Sequence, residues 1–542
     1  MDGISKASAQ GDAVEEPPPV AGPSRNQMSS KDKAAGLLQQ VGRRVELTPE
    51  NNNRVLRIID IKVLPIILGI YFLQALDKAT LAYASVFNLV DDANLHGHEY
   101  SWLGAVVYLA QLVAQPFVAY CLVKLRLGKF LAFTVLAWGI TLSCMTAANT
   151  FAGLLVTRML LGFFEAGVAP AFIAVTQMWW RRREQPVRLG AWYAMNGITN
   201  MIGSLLTYGL GHIKSPYLKP YQIIFLFFGV ITVGYSTVVL LFMPDSPLQA
   251  KIFKTEEDRL VAVERLRANQ QGIENDVWKW DHAKEAALDL KTWLWAFMMF
   301  SISVPSGGIS TFGPLIIKDF GYNQFNTILL NIPFGAVQLV ATLGGAYVAT
   351  KTHLKSVVLV ALSLPPIAGC VMLLILPRGP SHRGPLLAAF YLVSVYPGIT
   401  PLVYSWSAAN TAGETKKKVT TASLIVFQCA GNVVGPNLYT TGEAPKYARG
   451  LRSSLALFIV LIVLYSIQFV YLAALNKKHG KRREEMGKNR DIVDDSMQRI
   501  QTKDPDPKVQ EAQEAITEQI EATDKAFDDR TDWQNEDFVY VY

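Results

Sequence analysis

The chain has 542 residues, of which 51% are hydrophobic and only 18% are charged, and its formal net charge is +7. This balance is typical of a membrane protein whose Lys and Arg residues meet anionic headgroups. No basic stretch is interleaved with aromatic residues as a nucleic-acid platform requires, so we expect no nucleic-acid partner.

The chain begins with about sixty polar residues, including EEPPPVAGPS, and nothing there resembles a cleaved signal peptide. We expect residues 1–57 to be a disordered cytosolic tail. Twelve apolar stretches follow, and stretches of roughly 20 residues cross a bilayer core as helices. The sequence therefore predicts an all-α membrane protein with twelve transmembrane helices.

The longest connector divides the predicted spans six plus six. This connector covers residues 244–290, is hydrophilic and favours helix. It separates a six-span bundle over residues 58–243 from a second bundle over 291–475. We expect residues 476–542 to be a second cytosolic tail. Two six-span halves suit a transporter in which one half rocks against the other around a midplane site. We infer the repeat from span count only.

Basic residues predict the orientation. The connectors KLRLGK and WWRRREQPVR, after spans two and four, carry seven Lys or Arg, against Lys214 and Lys219 on the opposite side of that half. This asymmetry places both termini in the cytosol, and we expect the plasma membrane. The same count is ambiguous for the C-terminal half.

Glycine and proline are concentrated in spans 1, 4, 7 and 10. A proline within a helix leaves a main-chain carbonyl without its hydrogen bond, and such a carbonyl is tolerated best beside protein or water. We therefore expect these four spans to line a cavity. The alternative is that both residues are simply common in membrane helices. The residues concerned are Pro65, Gly69, Gly162, Gly167, Pro170, Pro305, Gly307, Gly308, Gly313, Pro314, Pro397, Gly398 and Pro401.

The sequence predicts no metal, cofactor or enzymatic activity. All four cysteines fall inside predicted spans, at spacings that suit neither zinc nor a disulfide framework, and we expect them to be packing residues. They are Cys121, Cys144, Cys370 and Cys429. The patterns HExxH, GxSxG and GxxxxGKS are absent from the sequence.

Four charged residues lie well inside predicted spans: Asp77 and Lys78 in the first, Arg158 and Glu165 in the fourth. A charge there costs at least ~2.5 kcal/mol, so each is a functional candidate. Asp77 and Lys78 project about 100° apart on a helix, whereas Arg158 and Glu165 share a face at a separation of about 10 Å.

Each of these charges has alternative roles. We expect Asp77 to pair with Arg158, leaving Lys78 either to meet a substrate carboxylate or to extend to the outer surface. Arg158 is the bidentate alternative for the same carboxylate. The histidines lie at connectors or span ends, so Glu165 and Asp77 are the candidate proton carriers; either acid is otherwise a permanently paired structural group.

Polar and aromatic residues within the spans are candidates to complete a pocket for a small anion. They offer donors, acceptors and a flat aromatic wall, although buried Asn and Gln also serve simply to join helices. The candidates for substrate binding, besides Lys78 and Arg158, are Tyr108, Gln111, Asn196, Asn200, Gln338, Tyr404, Trp406, Gln428 and Asn432.

Several motifs carry a family resemblance. TRMLLGFFEAGVAPAF (157–172) with WWRRREQPVRLGAWYAM (179–195) resembles the fourth span and following loop of the anion:cation symporters of the major facilitator superfamily. LDKATLAYASVF, LFMPDSP, NTAGETKKKVTTAS and EAPKYARG, in order along the chain, resemble the fungal allantoate permease branch. The resemblance implies a twelve-helix fold and proton-driven uptake of small carboxylates.

One segment departs from the superfamily pattern. The loop between spans two and three usually reads G-x-x-x-D-x-x-G-R-K, whereas this chain has VAYCLVKLRLGKF, which keeps Gly128 and Lys129 but has no Asp. Gating by a salt bridge of that acid is therefore not expected here.

The favoured hypothesis is a monomeric, proton-coupled importer of a small organic anion such as allantoate, ureidosuccinate or a short peptide. Vitamin-type carboxylates such as nicotinate or pantothenate are alternative substrates. A nutrient sensor on the same fold, signalling through its tails, is a second class of hypothesis. The expected partners are the anion, protons and the lipid bilayer.

Overall fold

A computed structural model describes residues 48–180, 184–245, 252–253, 255–267, 278–352, 354–487, 490, 530–535 and 538–542. The described residues form helices and short connections, and none of them lies in a strand. The predicted all-α class is confirmed. Most of the predicted N-terminal tail, residues 1–47, lies outside the described residues.

The N-terminal half contains α1 (Pro49–Lys62), α2 (Leu64–Val86), α3 (Leu89–Asp92), α4 (Glu99–Lys124), α5 (Leu127–Cys144), α6 (Phe151–Glu165), α7 (Val168–Trp179), α8 (Gln185–Gly211) and α9 (Pro220–Phe242). The linker contains α10 (Glu256–Arg267) and α11 (Trp280–Leu288). The C-terminal half contains α12 (Leu290–Lys318), α13 (Gln324–Leu329), α14 (Asn331–Thr352), α15 (Lys355–Ile375), α16 (Arg383–Val393), α17 (Ile399–Ala409), α18 (Glu414–Asn437) and α19 (Ala448–Glu485).

Ten helical segments of the described chain are long and apolar enough to cross a membrane. Helices α2 and α8, of 23 and 27 residues, have membrane-crossing length but fall outside that group. With them, and with α6–α7 and α16–α17 each taken as one span, the described part is consistent with twelve spans. Spans 1 to 6 are α2, α4, α5, α6–α7, α8 and α9; spans 7 to 12 are α12, α14, α15, α16–α17, α18 and α19.

The glycines and prolines interrupt two of the four spans in which they are concentrated. Span 4 breaks between Glu165 and Val168, and span 10 breaks around Tyr396–Gly398. Helix α12 continues through both of its prolines. Pro65 lies in the first turn of α2, where a missing N–H removes no helical hydrogen bond.

The most extensive contacts between the two halves are made by three helix pairs: α2 with α12, α4 with α18, and α8 with α14. In span numbers these pairs are 1/7, 2/11 and 5/8. A two-fold rotation that exchanges spans six apart maps 2/11 onto 8/5 and leaves 1/7 unchanged. This relation supports the repeat that was inferred from span count.

The tail segment, which we define as residues 530–535 and 538–542, packs at one end of the C-terminal half. It contacts the beginnings of α12 and α15 and the last part of α19. We call that end of the bundle the tail end and the other the opposite end. Helix α19 extends past the predicted boundary at 475, and residues 491–529 lie outside the described residues.

Candidate functional site

The four charges predicted from the sequence lie inside the N-terminal bundle. Asp77, Arg158 and Glu165 are at most 2% exposed, whereas the Lys78 side chain is 28% exposed. The contacts of Lys78 lie on α4 and α6, so its exposed part faces an interior space between helices rather than lipid.

Glu165 is held by side chains from α2 and α4. Lys78 Nζ lies 3.6 Å from Glu165 Oε2, and Gln111 Nε2 donates to the same oxygen at 3.3 Å. Helix α6 ends at Glu165, and Gln74 Nε2 donates to the main-chain oxygen of Glu165 at 3.4 Å. The buried Oε1 atom has no hydrogen-bond partner. One carboxylate oxygen is therefore engaged, and the other is buried without a hydrogen-bond partner.

Asp77 faces away from Glu165. Its Oδ2 atom accepts from Trp138 Nε1 at 2.7 Å and from Thr232 Oγ1 at 3.4 Å, on α5 and α9. The expected ion pair with Arg158 is not found among the described residues. Asp77 and Lys78 are consecutive on α2, so they point to different neighbours, as their helical spacing requires.

Arg158 is the unpaired cation of the site. Its side chain makes no hydrogen bond or ion pair with the described residues, and its buried Nε has no partner. Glu165, Tyr100, Tyr108 and Asp77 are near enough to interact with it electrostatically. A buried guanidinium without a partner is costly, and an anionic ligand would satisfy it.

Aromatic and amide side chains surround these charges. Lys78 Nζ lies 5.5 Å from the centre of the Tyr108 ring, and Asn196 Nδ2 donates to Tyr71 at 3.0 Å. The rings of Tyr193 and Tyr404 approach to 6.5 Å across the two halves. Each of these four tyrosines lies within a span and is half-buried.

The remaining predicted pocket residues form two groups. Tyr404 donates to Gln428 Oε1 at 2.7 Å, and Asn432 Nδ2 donates to the main-chain oxygen of Gln428 at 3.0 Å. Asn200 Nδ2 donates to Gln338 Oε1 at 2.7 Å, which joins the two halves directly. Asn200 and Gln338 therefore stabilise the contact between the two halves.

Trp406 does not join this site. It is fully buried, and its Nε1 atom donates to the main-chain oxygen of Val541 in the tail segment at 2.9 Å. Residues two apart on a helix project about 200° apart, so Tyr404 and Trp406 cannot both face the cavity. The expectation that Trp406 binds substrate is therefore corrected: this residue packs against the tail segment.

Sequence reasoning missed Gln74, Tyr71, Trp138, Thr232 and Tyr193. Gln74 and Tyr71 lie four and seven residues before Lys78, so the face they share with it could have identified them. Trp138 and Thr232 lie in strongly apolar spans, where no sequence signal marks them as partners of an acid.

Comparisons with known proteins identify the family of the chain. A profile of the Major Facilitator Superfamily matches residues 67–436. An uncharacterized transporter of Schizosaccharomyces pombe is 36% identical over 440 residues, covering 81% of this chain and 82% of that protein. Two proteins of Saccharomyces cerevisiae are each 30% identical: allantoate permease over 528 residues (95% and 91% of the two chains) and thiamine pathway transporter THI73 over 498 (92% and 87%).

The solved structures agree on the fold. The xylose transporter XylE from E. coli, in a partially occluded inward-open conformation, superimposes with a TM-score of 0.56 at 12% identity over 74% of this chain and 96% of that one. The fold and the relatives define a multi-pass membrane transporter that is not an enzyme. The chain belongs to the major facilitator superfamily, in its fungal allantoate-permease-like branch.

Proposed function

We propose that the chain imports a small organic anion together with protons, by alternating access. The candidate substrates are allantoate, ureidosuccinate, a short peptide or a related carboxylate. The observation that carries the proposal is the ion pair between the buried Glu165 and the half-buried Lys78, together with the unpaired Arg158 guanidinium. Intramembrane ionisable residues of this kind mark ion and substrate pathways.

The charges suggest how proton and anion are coupled. With Asp77 and Glu165 ionised and Lys78 and Arg158 protonated, the four side chains carry no net charge. Protonation of Glu165 leaves one net positive charge and frees Lys78. A monoanion then restores neutrality, so the proton and the anion are most stable in the cavity together, where desolvation makes unbalanced charge costly.

The opposite wall of the cavity is neutral. Tyr404, Gln428 and Asn432 carry hydroxyl and amide groups on α17 and α18. We place them in the wall opposite the cations of the N-terminal half. An amide- or ureido-bearing carboxylate has complementary groups at its two ends. The similarity to allantoate permease supports the same substrate class.

A vitamin-type carboxylate such as nicotinate or pantothenate is the second candidate substrate. The similarity to the thiamine pathway transporter supports it, because the two yeast relatives are equally identical to this chain. A flat aromatic carboxylate would lie against the tyrosines of the cavity.

We further propose that the tail end faces the cytosol, that the protein acts in the plasma membrane, and that it is a monomer. The basic connectors of the N-terminal half support the orientation. The candidate site is built from one chain, which supports the monomer. We also propose the division of the chain that the sequence predicts: a cytosolic N-terminal tail, two six-helix bundles joined by a cytosolic linker, and a cytosolic C-terminal tail.

The test is uptake by purified protein in vesicles. Labelled allantoate should accumulate when the outside is acidic, and a protonophore should abolish the accumulation. Ureidosuccinate, a dipeptide, nicotinate and pantothenate, tested as competitors, would rank the substrate classes. Saturable binding without accumulation under any gradient would contradict the proposal and favour a sensor.

A further inference from the structure

Two asparagine side chains of the C-terminal half bind the main chain of the tail segment through pairs of hydrogen bonds. Asn410 Nδ2 donates to the Val541 oxygen at 2.9 Å, and Val541 N donates to Asn410 Oδ1 at 2.7 Å. Asn476 makes the same pair with Tyr540, at 2.8 and 2.9 Å. Each asparagine thus satisfies both main-chain groups of one tail residue, as a neighbouring strand would.

An acidic residue of the tail segment enters a buried cluster of charges. Asp532 is fully buried and bonds to Lys291 and to Lys416, the latter at 2.9 Å. It also accepts from Tyr540 Oη at 2.9 Å. Burial by itself would raise the pKa of Asp532, but the two lysines outweigh it and hold that pKa below its usual value. The carboxylate is therefore an ionised partner of two buried cations.

Helix α17 connects the tail segment to the candidate site. This helix of 11 residues is the separate second part of span 10. Trp406 donates to Val541 from one face, while Tyr404 donates to Gln428 from another. Lys355 adds a second connection, because its N–H donates to the Tyr542 oxygen at 2.8 Å and its Nζ to the Ser405 oxygen at 3.1 Å.

We propose that the tail segment is an internal ligand of the C-terminal half that positions α17, and with it Tyr404, for substrate binding. Span 10 is broken at Tyr396–Gly398, so α17 is not held in line by a continuous helix. The tail segment ties α17 to α15 and α19, and its acid ties α12 to α18. The effect on substrate affinity rests on the proposed function, whereas docking of the tail does not.

Docking can be measured without any substrate. A fluorescent peptide of residues 530–542 should bind saturably to transporter truncated after residue 529, with anisotropy as the readout. The peptide carrying Asp532→Asn should bind at least roughly tenfold more weakly, because it loses ionic bonds to two buried lysines. The Val539→Ala peptide is the matched control and should bind normally. Absent binding, or equal binding by all three peptides, would overturn the proposal.

Positioning is tested in the full chain, so that a truncated protein that fails to fold does not decide the outcome. Val541→Pro removes the N–H that donates to Asn410 and should raise the KM for substrate roughly fivefold with kcat little changed. Val539→Ala should leave both parameters unchanged. A fall in kcat at constant KM would indicate lost folded protein and would overturn a positioning role, as would an unchanged KM. Adding the peptide to the truncated transporter should restore its KM.

Discussion

The Glu165 carboxylate combines two features of a proton-carrying group. It is buried beside a cation that is held by no other acid among the described residues, and one of its oxygens has no partner. Asp77 is equally buried and one of its oxygens also has no partner, but no described cation lies within ion-pair distance of it, and its other oxygen accepts a short hydrogen bond from Trp138 at 2.7 Å. Within the proposed function, we therefore assign coupling to Glu165 and a structural or secondary role to Asp77.

Replacing Glu165 by Gln should separate coupling from binding. The amide keeps the shape of the side chain but cannot carry a proton, so exchange of substrate across the membrane should persist while accumulation driven by a pH gradient disappears. Counterflow and gradient-driven uptake in vesicles measure the two. Glu99→Gln is the matched control and should behave normally, because this half-buried side chain at the start of α4 only accepts a local hydrogen bond from His96 N. Normal accumulation by Glu165→Gln would exclude it as the proton carrier.

Lys78 should contribute more to binding of an anion than to binding of a neutral analogue. Lys78→Ala removes the cation that protonated Glu165 releases, and we expect about tenfold or greater loss of affinity for the carboxylate. The corresponding amide should lose much less. Isothermal titration with both ligands measures the difference, with the exposed Lys124→Ala as control. Equal losses for acid and amide would show that Lys78 is structural.

At the scale of elements, the site depends on how closely α4 and α6 approach. A Cβ on Gly162 would lie 2.3 Å from the main-chain oxygen of Val107, so only glycine permits this packing. The same approach brings Gln111 of α4 to Glu165 of α6.

Gly162→Ala should therefore force α4 away from α6. We expect a destabilisation of about 1–3 kcal/mol, typical of an overpacked interior, together with weaker substrate binding. Thermal unfolding in detergent and a binding isotherm measure the two. Gly234→Ala, in α9 with nothing within 4 Å of the added carbon, should change neither. If both variants behave alike, the close approach does not determine the site.

The elements were more predictable than their contacts. The apolar spans and the four charges inside two of them follow from the sequence, because hydropathy acts locally. The Lys78–Glu165 pair depends on how α2 and α6 are rotated against each other, which no local pattern specifies. Lys416 illustrates the limit: it reads as a connector charge, yet it is fully buried against Asp532, more than a hundred residues along the chain.

At the scale of the whole molecule, the described hydrogen bonds between the halves extend from mid-depth to the opposite end. The Asn200–Gln338 bond lies near mid-depth. Ser101 lies nearer the opposite end and donates to the main-chain oxygen of Tyr439 at 2.8 Å. Lys318 donates to the Val86 oxygen at 3.3 Å at that end. These bonds close the interface on one side of the candidate site, and the proposed alternating access requires that they break and reform in each cycle.

Gly197 and Gly335 make that closure possible. A Cβ on Gly197 would lie 2.7 Å from the Gly335 oxygen, so the backbones of α8 and α14 are in direct contact. Gly197→Val should prevent this approach and favour the conformation open to the opposite end. An overpacking cost of about 1–3 kcal/mol shifts the conformational equilibrium roughly 5- to 150-fold, and transport should fall because the closed state becomes rare.

The shift is measurable with a reporter cysteine. In a chain whose native cysteines are replaced, Ser101→Cys places a thiol at a fully buried position of α4, against the Tyr439 main chain, and this thiol should react slowly with an impermeant maleimide. Adding Gly197→Val should accelerate that reaction, because the opposite end spends more time open. Gly209→Val, on the same helix with nothing within 4 Å of the added carbon, should leave the rate unchanged. Slow labelling in Gly197→Val, with transport lost, would mean that the substitution blocks movement rather than opening the opposite end.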